Sequence, residues 1–168
     1  MFSSPTIAAP CLIRSPVANF STDLIVDYFR APKCEQCSGN RGIELQLQRG
    51  QAIFAAADGV VSFRGEVNRT KYLVILTNNN HRITYGKIAV SDVRAGDRVF
   101  AGQQIAESGE NLYFGIRQVV NGVAQYLDPL MFLATTARGG GRAVLISDVS
   151  TGGKVGLVGA KNPLNLLC

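Results

Sequence analysis

The sequence predicts an all-β domain, and three observations lead to that prediction. Short runs rich in β-branched and aromatic residues recur along the chain, and Gly, Asn or Asp separates them. The 18 Gly and 6 Pro among 168 residues exclude a long-helix or coiled-coil protein. A hydrophobic fraction of 46% is enough for a core, so wholesale disorder is excluded. Strands this short and this regularly spaced favour a small antiparallel β-sheet, sandwich or barrel-like sheet.

The β-runs begin at about residue 23, with residues 24–29 leading into a polar loop. The runs at 72–76 and 81–85 are predicted to form a hairpin, because the Asn-rich segment between them tolerates positive φ. Asp128 followed by Pro129 predicts a short helix with Asp at its N-cap. The other predicted strands are residues 52–55, 60–63, 98–100, 104–106, 112–116 and 123–126.

The composition divides the chain into three parts. Residues 1–22 form an N-terminal segment, residues 23–137 form the β domain, and residues 138–168 form a Gly-rich joint and tail. The tail contains two β-prone runs, at 143–146 and 155–158, with a Ser-Thr-Gly-Gly turn signal between them. An isolated hairpin is marginal in water, so we expect a loosely held hairpin there.

Charge and histidine content limit the functional classes. The formal net charge of +5 mildly favours anionic partners, but the basic residues are scattered singly and the aromatic residues are spaced as strand core, which disfavours nucleic acid. His81 is the only histidine, so a mechanism that needs two imidazoles is excluded. The first residues lack an early Lys or Arg and contain Pro5 and Pro10, so no export signal is expected in the given chain. No apolar window approaches the length of a membrane span.

The four cysteines leave their pairing open. Cys34 and Cys37 form a C-x-x-C in a polar loop, whereas Cys11 and Cys168 stand alone near the two ends. A four-thiolate zinc site needs all four to converge, and a thioredoxin-like site needs a helix start that this loop does not offer. A loop disulfide or two unpaired thiols is the favoured interpretation.

Six ordered motifs from about Asp27 to Leu133 resemble the lysostaphin/LytM-type peptidoglycan metallopeptidases. Residues 40–45 look like the family's H-x-G-I/V-D-L segment, and residues 50–65 match its G-x-x-V-x-A-A-x-D-G-x-V-x-x-x-G stretch. The other matching segments are 84–88 (T-x-Y-x-H-L), 93–109 (V-x-x-G-D-x-V-x-x-G-Q-x-I-G/A-x-x-G), 111–117 (H-L-H-F-G/E-x-R) and 127–130 (V/L-D-P). The resemblance implies a duplicated hybrid motif, which is a small antiparallel β-sheet domain with an open groove.

The resemblance also implies which residues occupy the family's site. The positions of the three zinc ligands hold Asn40, Glu44 and Tyr113, and the positions of the two catalytic histidines hold Lys87 and Asn111. Only Glu44 keeps its chemical class. Zinc in proteins prefers imidazole, thiolate or carboxylate, and without the metal no bound water is acidified. His81 lies six residues before the family position and is expected to be exposed at a turn. These substitutions predict a degenerate member without zinc and without catalytic residues.

Two functions from different classes follow from the resemblance. The first is a catalytically inactive homologue that acts as a binding or regulatory module of the cell envelope, with peptidoglycan or a cell-wall hydrolase as its partner and the five residues as a vestigial groove. The alternative is a divergent zinc-dependent peptidoglycan endopeptidase with weak activity, for which a Cys34 or Cys37 thiolate beside Glu44 is a conceivable metal site. A biotin- or lipoyl-carrier module is disfavoured because Lys87 lacks the flanking residues of a carrier lysine. An extracytoplasmic location follows from the resemblance alone, and the oligomeric state stays open.

Overall fold

Antiparallel strands dominate the computed structural model, which describes residues 12–34 and 36–133. Two single turns of 3-10 helix, Thr22–Leu24 and Pro129–Met131, stand at either end of the strand series. The strands are β1 Ile25–Asp27, β2 Ile43–Gln46, β3 Ala52–Phe54, β4 Gly59–Val67, β5 Thr70–Thr77, β6 His81–Ser91, β7 Arg98–Val99, β8 Gln104–Val120 and β9 Val123–Leu127. The predicted all-β class is confirmed.

The strands join into one sheet whose order is β1-β2-β8-β6-β5-β4-β7. Strand β8 organises it: its first part pairs with β3, its central part lies between β2 and β6, and its end pairs with β9. Every named pair is antiparallel, which agrees with the open antiparallel sheet that the resemblance implies. This order places residues of β2, β6 and β9 beside β8, and residues of β5 beside β6.

The sequence predicted the hairpin turn and the helix cap most accurately. Strands β5 and β6 form the predicted hairpin, and Asn80 at its turn has a φ of +61°. The Asp128 carboxylate accepts a 3.0 Å hydrogen bond from the Leu130 N–H and so caps the 3-10 turn that follows. Both features depend on neighbouring residues only, which is why the pattern revealed them.

Two predicted strands proved to be one. Residues 104–106 and 112–116 both belong to the 17-residue strand β8, although Gly109 between them resembles a turn signal. A Cβ at Gly109 would lie 2.7 Å from the Lys87 carbonyl oxygen, so the glycine permits close approach of β6 instead of ending the strand. The first predicted run is also shorter than expected, because Thr22–Leu24 is a 3-10 turn and the strand covers only Ile25–Asp27.

Successive side chains of the central strands point to opposite faces of the sheet, and the two faces differ in burial. Tyr85 and Phe114 are fully buried on the core face with their rings 5.4 Å apart, and the Tyr85 hydroxyl accepts a 2.8 Å hydrogen bond from the Ala56 N–H. Alternate residues lie on the outer face, where side chains are half-buried or exposed. The outer face of β2, β5, β6, β8 and β9 is therefore the surface on which the candidate site lies.

Residues before the first strand contribute to the same core. Ile13 and Val17 are buried in it, and Ile13 forms an isolated bridge with Leu133. The boundaries at 1–22, 23–137 and 138–168 stay predictions, and the joint and the tail hairpin lie outside the described residues. Among the described residues, no helix has the length and apolar character needed to cross a membrane.

Candidate functional site

A cross-strand row on the outer face brings two of the five predicted site residues together. The strand registers pair Tyr72 with Gly86, Gly86 with Tyr113, and Tyr113 with Glu44. We call these four residues the vestigial row. A Cβ at Gly86 would lie 2.6 Å from Cε1 of Tyr72 and 3.2 Å from Cβ of Tyr113. The absence of a side chain at Gly86 therefore makes room for the two tyrosines that flank it.

Lys87 adds a positive charge to this row. Its Nζ donates to Oε2 of Glu44 at 2.7 Å, with the lysine side chain 41% exposed and the glutamate side chain 24% exposed. The two residues belong to β6 and β2, which flank β8 on opposite sides, so the lysine reaches across β8. Lys87 has a φ of +62° where the β6–β8 register shifts between Gly86 and Ile88. The register shift breaks the strict alternation of β6 and allows Lys87 to contact the outer-face carboxylate.

The Asn40 side chain is committed to its own loop. Only 8% of the residue is exposed; its Nδ2 donates to the Tyr28 carbonyl at 3.1 Å, and its Oδ1 accepts from the Gly42 N–H at 3.3 Å. Its backbone exchanges two hydrogen bonds with Arg30. A side-chain hydrogen bond from Arg30 chiefly lowers the pKa of the neighbouring Asp27 carboxyl, and Asn40 contributes to the same shift. The amide therefore stabilises the loop that precedes β2.

Tyr113 carries a phenol that resists ionisation. Burial, chiefly, together with the neighbouring Tyr126 and Tyr72 raises its pKa to about 12, and the Arg41 guanidinium opposes the shift. The hydroxyl is consequently protonated at neutral pH. Asn111 lies two residues earlier on the same face of β8, half-buried and opposite Gln46. The structure thus joins Glu44, Lys87 and Tyr113 closely and places Asn111 next along the strand.

The donor set does not fit a catalytic zinc ion. The Asn40 amide is occupied by backbone groups, the Tyr113 phenol is protonated, and the Glu44 carboxylate already binds an ammonium group. Within residues 12–34 and 36–133, no three His, Cys, Asp or Glu side chains are grouped so that they could hold a metal ion. We therefore derive no reaction step through zinc at these positions.

The C-x-x-C motif forms a loop disulfide, which is one of the two alternatives that the sequence left open. Cys34 and Cys37 are bonded to each other, so neither offers a thiolate to a site with Glu44. Arg41 donates from Nη2 to the Cys37 carbonyl at 3.2 Å. Cys11 and Cys168 lie outside the described residues.

His81 differs from its prediction. It is half-buried, its ring lies 6.1 Å from the ring of Phe132, and its Nδ1 is buried without a hydrogen-bond partner among the described residues. The expectation of an exposed turn histidine was wrong because His81 is the first residue of β6 and shares the core face with Ile83 and Tyr85. It remains remote from the vestigial row.

Sequence reasoning missed a second group of outer-face residues. The basic residues are scattered singly along the sequence, yet the sheet register places Arg82 directly opposite Arg117. The signal was present in β6, in which Arg82 and Thr84 alternate with the core residues Ile83 and Tyr85. Recognising it requires the β6–β8 register, which the sequence pattern did not supply.

Comparisons with known proteins agree with this architecture. The model of peptidase family M23 matches residues 38–129. The Lipoprotein NlpD/LppB homolog of Pseudomonas aeruginosa is 34% identical over 102 residues, which cover 56% of this chain and 33% of that protein. The murein hydrolase activator NlpD of Escherichia coli K12 is 36% identical over 87 residues, which cover 47% of this chain and 23% of that protein.

A solved structure shows the same fold. Helicobacter pylori Csd3 superposes with a TM-score of 0.62 at 24% identity, over 75% of this chain and 36% of that protein. At this identity the likeness concerns the fold alone. The chain spans about a quarter to a third of the length of the two curated relatives named above.

Proposed function

The chain belongs to peptidase family M23, and on that premise we propose that it is a catalytically inactive, LytM-type regulatory or binding module of the cell envelope. Its partner is a cell-wall hydrolase or peptidoglycan itself. The residues that we assign to partner contact are those of the vestigial groove, namely Asn40, Glu44, Lys87, Asn111 and Tyr113.

One observation carries the proposal: the Lys87 ammonium lies 2.7 Å from the Glu44 carboxylate. Glu44 is the only residue at the three ligand positions that keeps an acidic group. An ammonium group at this distance supplies the positive charge that a metal ion provides in active members of the family. Because the charge belongs to the chain, the carboxylate is satisfied without a metal and no metal-bound water is activated.

The names of the relatives support a regulatory role in the envelope. One relative is named a murein hydrolase activator, and others are named lipoproteins, including the outer membrane antigenic lipoprotein B of Histophilus somni. An activator needs a surface that holds a partner and needs no reacting centre of its own. The vestigial row offers half-buried tyrosines beside one ion pair, a composition that suits recognition of a polar polymer or protein.

Metal content tests the loss of catalysis. The purified chain should hold less than one equivalent of zinc after dialysis, and it should release no fragments from purified peptidoglycan. The triple variant Asn40→His, Glu44→Asp, Tyr113→His should gain measurable zinc affinity. Adding Lys87→His should increase that affinity further, because the ammonium group no longer competes for the carboxylate.

The matched control for the restored site is the same set of substitutions with Glu44→Ala in place of Glu44→Asp, which should bind zinc weakly. Stoichiometric zinc in the unmodified chain that disappears in Glu44→Ala would contradict the proposal. So would peptidoglycan cleavage by the unmodified chain alone.

Hydrolase stimulation tests the regulatory role. A wall amidase should release more product from purified peptidoglycan when the chain is present, whereas the chain alone should release none. Tyr113→Ala and Asn111→Ala should weaken the stimulation, and Arg49→Gln in the exposed β2–β3 loop should leave it unchanged. Equal stimulation by all variants would remove the groove from the proposal.

A further inference from the structure

A second cross-strand row lies on the same outer face as the vestigial row. The registers pair Arg98 with Val60, Val60 with Leu76, Leu76 with Arg82, Arg82 with Arg117, and Arg117 with Tyr126. We call these six residues the arginine row. At about 4.8 Å between neighbouring strands, the row extends about 24 Å from β7 to β9.

Two arginines in this row face each other without a counter-charge. Arg82 and Arg117 are both half-buried, and side chains that lie directly opposite in an antiparallel pair have Cβ atoms about 5 Å apart. Neither arginine forms an ion pair with any carboxylate of residues 12–34 and 36–133. Like charges in this position destabilise a sheet, so an anion that joins them would remove an unfavourable interaction.

The acidic residue that follows β9 is committed elsewhere. Asp128 follows β9, and its carboxylate accepts from the Leu130 N–H as an N-cap. At the end of the row, the Arg41 guanidinium lies 5.2 Å from the centre of the Tyr126 ring. This end of the sheet therefore concentrates guanidinium groups beside an aromatic ring.

We propose that the arginine row is a docking site for an acidic, amphipathic segment of a partner protein, with a carboxylate of that segment held between Arg82 and Arg117. The planar guanidinium groups match a carboxylate with two parallel hydrogen bonds. Arginine and tyrosine are typical of the energetic centre of a protein interface. The apolar members, Val60 and Leu76, favour a protein segment over a phosphate-bearing polymer.

The paired arginines lie apart from the vestigial groove, although Tyr126 at the end of the row neighbours Tyr113. Tyr113 and Arg117 are four residues apart on β8, which is about 14 Å at 3.4 Å per residue. The inference rests on the proposed function in one respect only, since it assumes that the partner is a protein. It specifies that partner's chemistry as an acidic segment long enough to follow the row.

The test uses a synthetic acidic helix of about 16 residues, which is about 24 Å long, with glutamates and leucines on one face. Titration of the full, isotope-labelled chain should shift backbone signals of β5, β6, β8 and β9. Arg82→Gln and Arg117→Gln should each weaken binding roughly tenfold, the effect of losing a charge-assisted hydrogen bond. Arg82→Lys should weaken it less, and the matched Arg49→Gln control should leave it unchanged.

Further arms distinguish the sources of an anion. A version of the helix with glutamine for glutamate should bind at least roughly tenfold more weakly. Inorganic phosphate that shifts the same signals with equal or tighter affinity would overturn the protein assignment. Equal weakening by Arg49→Gln would show diffuse attraction to a basic chain and would also overturn it. Zinc binding or peptidoglycan cleavage by the chain would refute the proposed function without changing these titrations.

Discussion

The vestigial row and the arginine row share one sheet face but differ in how their charges are balanced. In the vestigial row, the Lys87 ammonium neutralises the Glu44 carboxylate at 2.7 Å. In the arginine row, Arg82 and Arg117 face each other, and neither is paired with a described carboxylate. The first row is electrostatically complete within the chain, whereas the second is complete only with an anion from outside. The two rows therefore offer a partner different chemistry: an ion pair beside tyrosines in the first, and unpaired guanidinium groups in the second.

The two rows also differ in backbone conformation, which is more constrained in the vestigial row. The vestigial row needs Gly86 for close approach of two tyrosines, and the adjoining Lys87 adopts a positive φ of +62°. Arg82 and Arg117 sit in regular register without positive φ. Local constraint is thus concentrated where the family keeps its catalytic centre, and substitutions there should have larger effects on stability.

The largest expected effect comes from filling the space at Gly86. Gly86→Val should lower the free energy of unfolding by about 3 kcal/mol, because its Cβ would lie 2.6 Å from the Tyr72 ring and its methyl groups would crowd Tyr113. Thr84→Val on the same face of β6 should change it by less than about 0.5 kcal/mol. Urea denaturation measures both, and equal losses would show that the row has no special packing.

The next effect is an alkaline loss of stability that depends on Tyr113. Its pKa is raised from 10.0 to about 12 in the fold, so the folded state favours the protonated phenol. This contribution is fully present below pH 10 and is lost as pH rises from 10 to about 12, because the unfolded chain releases its proton first. The loss should amount to about 2 to 3 kcal/mol.

The variant Tyr113→Phe isolates the contribution of the Tyr113 phenol to this loss of stability. The variant should lose less stability over the same pH range, although burial also raises the pKa of Tyr85 and leaves part of the slope. Denaturation at successive pH values and the ultraviolet absorbance of tyrosinate measure the effect. An identical slope in the variant and the unmodified chain would contradict the raised pKa of Tyr113.

Sequence alone predicted the fold well and the site partly, and the reason is the range of the interactions involved. The β5–β6 hairpin and the Asp128 cap depend on adjacent residues, so the Asn-rich turn and the Asp-Pro pair were sufficient. The continuity of β8 depends on its partners β3, β2 and β6, so the sequence pattern predicted two separate strands where the structure has one.

In the candidate site too, the sequence predicted some features and missed those that depend on strand pairing. The family motifs identified the positions of Glu44, Lys87 and Tyr113, but the Lys87–Glu44 ion pair requires the irregular register of β6 and the order of three strands. The opposition of Arg82 and Arg117 likewise depends on residues 35 positions apart being set in register. Sequence periodicity predicts the face of the sheet on which a residue lies, whereas strand pairing determines which residue lies opposite it.

A smaller effect separates backbone strain from charge at Lys87. Lys87→Gly and Lys87→Ala both remove the ion pair, but only glycine adopts a positive φ without steric cost. Lys87→Gly should therefore be more stable than Lys87→Ala by about 1 kcal/mol in urea denaturation. Loss of the ion pair itself should contribute less than about 1 kcal/mol because the lysine is 41% exposed. A glycine variant that is less stable than the alanine variant would show that the bulge imposes no strain.

The smallest effect is expected in the arginine row, and its sign matters more than its size. Removing one of two opposed like charges should relieve repulsion, so Arg82→Gln should raise the free energy of unfolding by a few tenths of a kcal/mol at low salt. Added salt screens the repulsion, so the difference from the unmodified chain should shrink as ionic strength rises. Arg49→Gln, at an exposed loop position, should show no such salt-dependent gain. A variant that is more stable and yet binds the acidic helix more weakly would distinguish a recognition surface from a structural one. If Arg82→Gln instead lowers stability, the guanidinium group contributes to the fold, and the absence of a counter-charge beside it ceases to indicate an external anion.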